Sequence, residues 1–452
     1  MRRAGPPRPA RPPRRARPVA ASPAGPAREL AIDTIAAGGD GVGRDGGLVV
    51  FVPRTAPGDV VRARWDATGR FARGVLVDVV RPSTERVEPP CPHYREDHCG
   101  GCQLQHLSAD AQREAKRRLV ADALARIAKR PVEIDPVLPS PAAWRYRRKL
   151  TLALRRRGSS WVGGLHPYDA PGEVFALQDC PITDERVLAV WREVVAASRL
   201  FPFDARELRG AVRLLGGATD GATPATFTLV GGARWPAWET FVNAVPSLAG
   251  LWWQPDGAHR RLLHTRREAS AGASFAQVNA PIAARLRADV VAALRERRPA
   301  TFVDAYAGVG DVAVALAGAG ARTSAIELDA EAAALAGARL APLGGRSVRA
   351  RVEDALASVL PAAAVLVNPP RTGLDAAVPE ILERAADGAF GPPPEAIVYV
   401  SCNPATLARD LARMPSYAIR RVTPYDMFPQ TAHVETLVVL ERVVARGSEV
   451  GV

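Results

Sequence analysis

The sequence predicts a multidomain α/β protein with three folded parts: an N-terminal OB-like β-barrel, a central β-rich domain and a C-terminal Rossmann-like doubly wound sheet. Three patterns predict it. From Glu29 to Pro82 short apolar stretches alternate with glycine turns, as in "LAIDTIAAGGDGVGRDGGLVVFVPRTAPGDVVRARW", and short strands punctuated by Gly and Pro argue for a small barrel. From Trp144 to about Arg267 the pattern is again strand-like and rich in turn formers. From about Ser270 single apolar strands ("FVDAYAG", "TSAIELD", "AAVLVNPP", "AIVYVSC") alternate with Ala-rich helices, the mark of parallel strands joined by crossover helices. The expected boundaries are a basic tail over 1–28, the barrel over 29–82, the central domain over 83–269 and the C-terminal domain over 270–452.

The 452 residues are 47% hydrophobic, enough for real cores, and carry a formal net charge of +13, which favours a polyanionic partner. Eight arginines and no acidic residue fall within 1–28, so the remaining chain carries only about +5. That tail is too rich in Pro and Ala to pack and is expected to be disordered. It reads as a non-specific RNA-grasping arm, as a dispensable extension or as the product of a misplaced start codon; its prolines oppose an amphipathic transit peptide. No apolar run is long enough to span a bilayer, and the first residues lack the apolar core of a secretory signal. A cytoplasmic monomer with reduced cysteines is expected.

The C-terminal part carries the chemistry. "FVDAYAGVGDVAVALA" is a strand ending in Asp304, a turn with Gly308 and Gly310, and a helix, and Glu327 closes the next strand. Such glycines let backbone approach a cofactor, and an acidic residue at that separation takes ribose hydroxyls. Ala313 stands where a dinucleotide fingerprint most often has its third glycine, and the pattern fits S-adenosylmethionine (SAM) better than NAD. "VNPPRTGL" closes a later strand; Asn-Pro-Pro also suits amino-group methylation, which keeps an N-methyltransferase as the alternative. "IVYVSCNPATLARDL" puts Cys402 between a buried strand and a helix, at the sheet edge where open α/β sheets bind ligands. Glu435 precedes the apolar strand "TLVVL". Uracil C5 is too weak a nucleophile for a sulfonium methyl unless a thiolate first adds at C6, and a base must then take the C5 proton. One cysteine and one carboxylate suffice, whereas N-methylation needs no cysteine.

Four further cysteines, Cys91, Cys99, Cys102 and Cys180, include a C-x-x-C pair. In a reducing compartment they read as a metal site, with zinc and iron–sulfur equally compatible. Ser108 is placed to cap the basic helix "ADAQREAKRRLVADALARIAKR", and the cations of "WRYRRK" and Arg155–Arg157 read either as phosphate contacts or as solvated surface.

"GGDGVGR", "VVFVPRTAPGD" and "RARW" resemble a TRAM domain. With "CGGCQLQH" at 99–106, "SFAQVN" at 274–279, "NPPRTG" at 368–373, "SCNPATLARDL" at 401–411 and "DMFPQTAHVET" at 426–436, the chain from residue 29 to 442 is similar to the TRAM-containing RNA 5-methyluridine methyltransferases. The resemblance implies a class I SAM-dependent methyltransferase domain with Cys402 as nucleophile and Glu435 as base. It implies Gln277, Tyr306, Asp311, Glu327 and Asn368 at the SAM site, Asn368 standing where the family usually has Asp. It also implies a [4Fe-4S] cluster on Cys91, Cys99, Cys102 and Cys180. The first cysteine gap holds seven residues where five are common, which leaves His93 and His98 as rival ligands to Cys91. The expected substrate is RNA, 23S ribosomal RNA ahead of transfer RNA. The radical-SAM methylthiotransferases need C-x-x-x-C-x-x-C, which is absent, and a non-catalytic RNA-binding protein would not need Cys402 and Glu435 beside a SAM loop.

Overall fold

A computed structural model describes residues 25–66, 69–158, 160–215, 224–266 and 277–443. The predicted disordered tail lies outside the described residues through residue 24, as do residues 274–276 of "SFAQVN". Strands β1 (Arg28–Ile35), β2 (Gly41–Asp45), β3 (Leu48–Val52), β4 (Val60–Arg64), β5 (Phe71–Arg73) and β6 (Val75–Arg81) form a sheet in the order β5-β3-β2-β1-β4-β6. Its two edge strands, β5 and β6, are joined by the single residue Gly74. Alternation turns Leu30, Ile32, Val50, Val52, Val61 and Trp65 inward. The first strand takes in Arg28, one residue before the expected boundary, because its guanidinium lies 4.1 Å over the Trp65 ring and pairs with Asp45.

A short turn, α1 (Pro92–Arg95), and a long helix, α2 (Ala109–Arg126), follow, the latter capped by Ser108, whose Oγ accepts from the Ala111 N–H at 3.2 Å. The second sheet comprises β7 (Lys149–Arg157), β8 (Ser160–Leu165), β9 (Phe175–Ala176), β10 (Glu207–Leu214), β11 (Ala225–Val230), β12 (Leu248–Gln254) and β13 (Arg261–Thr265) in the order β13-β12-β11-β10-β7-β8-β9. Helices α3 (Glu185–Ala196) and α4 (Trp238–Ala244) bury one of its faces through Trp191, Val194, Phe241 and Val242.

The C-terminal part alternates as its sequence pattern requires: α5 (Ala280–Arg295), β14 (Thr301–Ala305), α6 (Asp311–Ala317), β15 (Arg322–Glu327), α7 (Ala330–Leu340), β16 (Arg346–Arg349), α8 (Val352–Val359), β17 (Ala364–Val367), α9 (Ala377–Ala386), β18 (Ala396–Ser401), α10 (Pro404–Leu411), β19 (Tyr417–Tyr425) and β20 (Glu435–Arg442). The sheet order is β16-β15-β14-β17-β18-β20-β19, with β16 to β18 parallel and β20 antiparallel to both neighbours. Strand order reverses between β14 and β17, so the crevice at their carboxyl ends is the ligand site of a Rossmann-like sheet. Because β20 runs the other way, its first residue lies on that same edge. Among the described residues no helix is long and apolar enough to cross a membrane.

Helix α2 precedes the second sheet in the chain but packs on the third. Val120, Ala123 and Leu124 share a core with Leu407, Ala408 and Leu411 of α10. Arg130, just beyond α2, donates to the carbonyls of Leu411, Met414 and Tyr417, and residues 135–138 bond along β19. The expected assignment of residues 83–269 to one domain follows the chain, whereas the packing divides that stretch. Lys116 of α2 is fully buried and meets Asp426 at 2.5 Å and the Phe428 carbonyl at 3.0 Å. Burial lowers the lysine's proton affinity and the carboxylate opposes that shift. Removing one partner of such a pair strands the other charge. Lys116→Ala is expected to cost about 3–5 kcal/mol in urea denaturation, and Lys116→Met with Asp426→Leu to recover most of it.

Candidate active site

Sheet register brings the two reactive groups together. The β18–β20 ladder ends with Ser401 opposite Thr436, so the next residues outward are Cys402 and Glu435. Cys402 is half-buried between β18 and α10, whose N-cap Asn403 accepts from the Ala405 N–H at 3.0 Å. Glu435 is only 3% exposed, and its Oε2 has no hydrogen-bond partner. Desolvation raises its pKa to about 7, opposed by the charge of Arg371. The Cys402 thiol is pushed up by burial and then by the Glu435 charge, while Arg371 pulls it down as a charge and as a hydrogen-bond donor. Arg371 thus favours the charged form of both groups. Its carbonyl accepts from Asn403 Nδ2 at 3.3 Å and Thr406 Oγ1 at 3.4 Å, so the cap of α10 holds the "NPPRTG" loop against the cysteine. The sequence reading quoted that loop for its asparagine and passed over the arginine.

The loop from Asp426 to Val434 delivers Glu435, and it is held along its whole length by earlier parts of the chain. The Gln430 carbonyl accepts from the N–H groups of Gln103 (3.1 Å) and Leu104 (3.0 Å). Its side chain accepts from Gln112 Nε2 at 2.9 Å, and its own N–H donates to Gln112 Oε1 at 2.9 Å. Tyr146 donates to the Pro429 carbonyl at 2.9 Å. These bonds keep Gln430 in the left-handed region, at φ 71°, a conformation rare for a residue with a side chain. His433, beside Phe428, has a pKa lowered to about 4 by burial and then by Arg371, Lys116 and Arg147, and is neutral at neutral pH.

Of the expected cofactor residues, Tyr306, Glu327 and Asn368 lie at the carboxyl ends of β14, β15 and β17. Asp304 is buried with its pKa raised by desolvation to about 7, and it accepts from the Ala313 N–H at 3.1 Å. Glu327 accepts from the N–H groups of Gly308 (2.8 Å) and Asp329 (2.7 Å), which fixes the glycine turn. Gly308 and Gly310 have φ of 57° and 76°, and a Cβ on Gly308 would meet only open space. Tyr306 adopts φ 65° without being glycine, the kind of stored strain that collects at binding sites. Leu328 is 59% exposed beside Glu327. Asn368 is exposed at the end of β17, its N–H donating to the Ala305 carbonyl at 3.4 Å. Gln277 is half-buried at the border of the described residues. Both oxygens of Asp311 are engaged, by Arg287 and Arg339 at 2.9 Å each, so this residue turns toward α5 and α7.

Cys91, Cys99 and Cys102 are buried, Cys180 is half-buried, and all four are free thiols. Cys91, Cys102 and Cys180 share one packing cluster with Tyr94 and Tyr146. Burial pushes Cys99 up to about 11 and Cys102 higher still, and the neighbouring thiols add to both shifts. Among the described residues, however, no three His, Cys, Asp or Glu side chains are arranged so as to hold a metal ion. The expected cluster ligands are thus gathered without closing on a common centre. Four sulfurs are a donor set of the type that thiolate-bound metal groups use, but as placed here they do not form a site. The rival histidines are taken elsewhere: His93 pairs its Nδ1 with Asp97 and its Nε2 accepts from the Gln178 N–H, while His98 turns its Nδ1 to Asp169.

A Rossmann-like sheet with a glycine turn, and a cysteine and a buried carboxylate on its binding edge, defines a group-transfer enzyme of the methyltransferase class. Comparison with known proteins narrows this. Residues 260–443 match the family described as tRNA (Uracil-5-)-methyltransferase. An uncharacterized RNA methyltransferase of Thermosynechococcus vestitus is 33% identical over 457 aligned residues, covering 91% of this chain and 97% of that protein. The 23S rRNA (uracil(1939)-C(5))-methyltransferase RlmD of Halomonas elongata is 32% identical, covering 92% of this chain and 89% of that protein. The solved Pyrococcus abyssi tRNA (uracil-54, C5)-methyltransferase, in complex with S-adenosyl-L-homocysteine, shares the fold with a TM-score of 0.63 at 24% identity, over 91% of this chain and 100% of that one. The chain belongs to the RNA uracil-5-methyltransferase family, and it is an RNA methyltransferase.

Glu435 binds its proton more tightly folded than unfolded, so its ionisation costs stability as pH rises from about 4.5 to about 7. Glu435→Gln is therefore expected to raise the melting temperature at pH 8 and to lose that advantage below pH 4.5, as followed by circular dichroism.

Proposed function

We propose that the enzyme methylates C5 of a uridine in RNA with SAM as the donor, through a covalent bond between Cys402 Sγ and uracil C6. The observation that carries this reading is the partnerless, desolvated Oε2 of Glu435 at the end of the β18–β20 ladder where Cys402 also lies. SAM supplies an electrophilic methyl on a sulfonium, and the protein's residues do the rest. Arg371 and the N-terminal end of α10 favour the Cys402 thiolate. The thiolate adds to C6, and the C5–C6 π electrons move toward O4 and make C5 nucleophilic. After C5 has gained the methyl group, the Glu435 carboxylate takes its proton, the C6–S bond breaks and the double bond returns. A base with a pKa near 7 is suited to that step at neutral pH.

Gln277, Tyr306, Glu327 and Asn368 are the proposed cofactor residues, and Asp311 joins them only by leaving Arg287 and Arg339. Glu327 keeps lone pairs for ribose hydroxyls, and exposed Leu328 offers a purine an apolar surface. Asn368 can donate or accept a hydrogen bond but carries no charge. The N-terminal sheet is proposed as the TRAM barrel, and Cys91, Cys99, Cys102 and Cys180 as ligands of a [4Fe-4S] cluster with a structural part, since methyl transfer needs no redox step. Ribosomal RNA of the large subunit is the favoured substrate because the Halomonas elongata relative is named for it; transfer RNA is the alternative.

With RNA tritiated at uridine C5, wild type is expected to release tritium from ribosomal RNA and not from transfer RNA, and Cys402→Ala to release none. Methyl incorporation without release would instead favour amino-group methylation by the Asn-Pro-Pro loop. Glu435→Gln is expected to accumulate a protein–RNA adduct stable to denaturing electrophoresis, because the thiolate leaves only after the proton does. The wild-type rate at subsaturating RNA is expected to climb as pH rises through about 7, where Glu435 ionises. Anaerobically purified protein is expected to hold iron and sulfide in equal amounts, lost together with thermal stability in Cys102→Ala; zinc without iron would refute the cluster.

A further inference from the structure

The second sheet has one face covered by α3 and α4 and another that takes no part in the site described above. Strand alternation sends Lys149, Thr151 and Ala153 of β7, Arg209, Ala211 and Arg213 of β10, Thr228 of β11 and Trp252 of β12 to that outward face. Register sets Lys149 directly opposite Arg213, a like-charge pairing that destabilises a sheet. The repulsion is felt: after desolvation, the Lys149 pKa is lowered by Arg213, Arg147, Arg209 and Arg260, in that order. At the far end of the strands Glu207 is taken up by Arg155. Between the cations lies a floor of small residues, with Ala211 facing both Thr151 and Thr228, and Thr228 beside the half-buried Trp252. The Arg260 guanidinium lies over the Trp252 ring at 5.0 Å.

The face also runs toward the active site: the N–H of Arg148, the residue before Lys149, donates to the Val278 carbonyl beside Gln277 at 2.9 Å, and Tyr146, next to Arg147, donates to the Pro429 carbonyl at 2.9 Å in the loop that delivers Glu435. A concentration of positive charge laid over a flat floor with an aromatic ring suits a single-stranded nucleic acid, whose phosphates neutralise the cations and whose bases stack on rings.

We propose that this face is the track along which single-stranded RNA enters the Cys402 pocket, a base stacking on Trp252 and phosphates meeting Arg147, Lys149 and Arg209. The proposal rests on RNA being the methyl acceptor and adds where the strand lies. A base stacking on the Trp252 indole takes the place over the ring that the Arg260 guanidinium now holds at 5.0 Å, so that arginine must swing aside.

The test uses the full chain, a fluorescent oligouridylate for binding and ribosomal RNA as methyl acceptor. Trp252→Ala is expected to weaken oligouridylate affinity about tenfold, with most of it restored in Trp252→Phe. The double variant Lys149→Ala, Arg209→Ala is expected to reduce the slope of log affinity against log salt by about 1.4. In both, KM for RNA rises and kcat at saturating RNA holds. Arg322→Ala, at the opposite edge of the methyltransferase sheet, serves as the control. Affinity and salt slope equal to the control in every variant would overturn the track. Defects seen on ribosomal particles but not on naked RNA would also overturn it and assign the face to a protein. Wild type that binds RNA without methylating it would sink the proposed activity, while the binding comparison would still judge the track.

Discussion

Everything in this fold that concerns chemistry depends on holding one loop, Asp426 to Val434, out of water in a conformation it would not choose. The constraint is electrostatic before it is steric. Glu435 must sit in a place where its charge is poorly solvated, and a loop that carries a carboxylate there tends to relax toward solvent. The clamp on Gln430 by Gln103, Leu104 and Gln112, and the buried Lys116–Asp426 pair, oppose that relaxation. The clamp is bonded through backbone as well as side chains, which makes its geometry hard to deform without losing several buried hydrogen bonds together.

The same arrangement joins the cysteine segment to the active site. Cys102 is followed directly by Gln103 and Leu104, whose N–H groups hold Gln430, and Tyr146 from the cysteine packing cluster holds Pro429. A group bound by the four sulfurs would fix this segment and, through it, the loop ahead of Glu435. Barrel residues take part too: Arg54 lies 3.8 Å over the Tyr94 ring and donates to the Cys99 carbonyl at 3.1 Å. The first sheet, the cysteine segment and the loop are thus one continuous chain of contacts.

What could be read from the sequence was whatever leaves a local trace. Periodicity and punctuation located the three sheets, the Ser108 cap, the strand ending at Ser401 and the placement of Cys402 and Glu435 on one edge, because strand and helix signals span fewer than a dozen residues. The Gln112–Gln430 clamp was not legible, since its partners are 318 residues apart and glutamine is unremarked in either place. Arg371 was visible in a quoted motif, but nothing local says that a surface-looking arginine will bear on the charge of a cysteine later in the chain. The outward cations of the second sheet were seen as "WRYRRK" and not as a surface, because Lys149 and Arg213 become neighbours only through register. Count and spacing singled out the four cysteines, but the sequence could not show that they stop short of a common centre, and the histidines could be set aside only when Asp97, Gln178 and Asp169 were seen beside them.

Helix α2 carries a consequence for how the molecule is made. It emerges from the ribosome long before the strands it packs on, with Lys116 separated from Asp426 by 310 residues. Its apolar side must wait through synthesis of the whole second sheet before it finds a partner, and the sheet it finally joins cannot be completed without it. Such long-range closure makes for slow folding and an interval in which apolar surface stands open to chaperones or to aggregation. It also means that cutting the chain between the second and third sheets would not release a self-sufficient catalytic domain: the piece needed to finish its core lies on the other side of the cut.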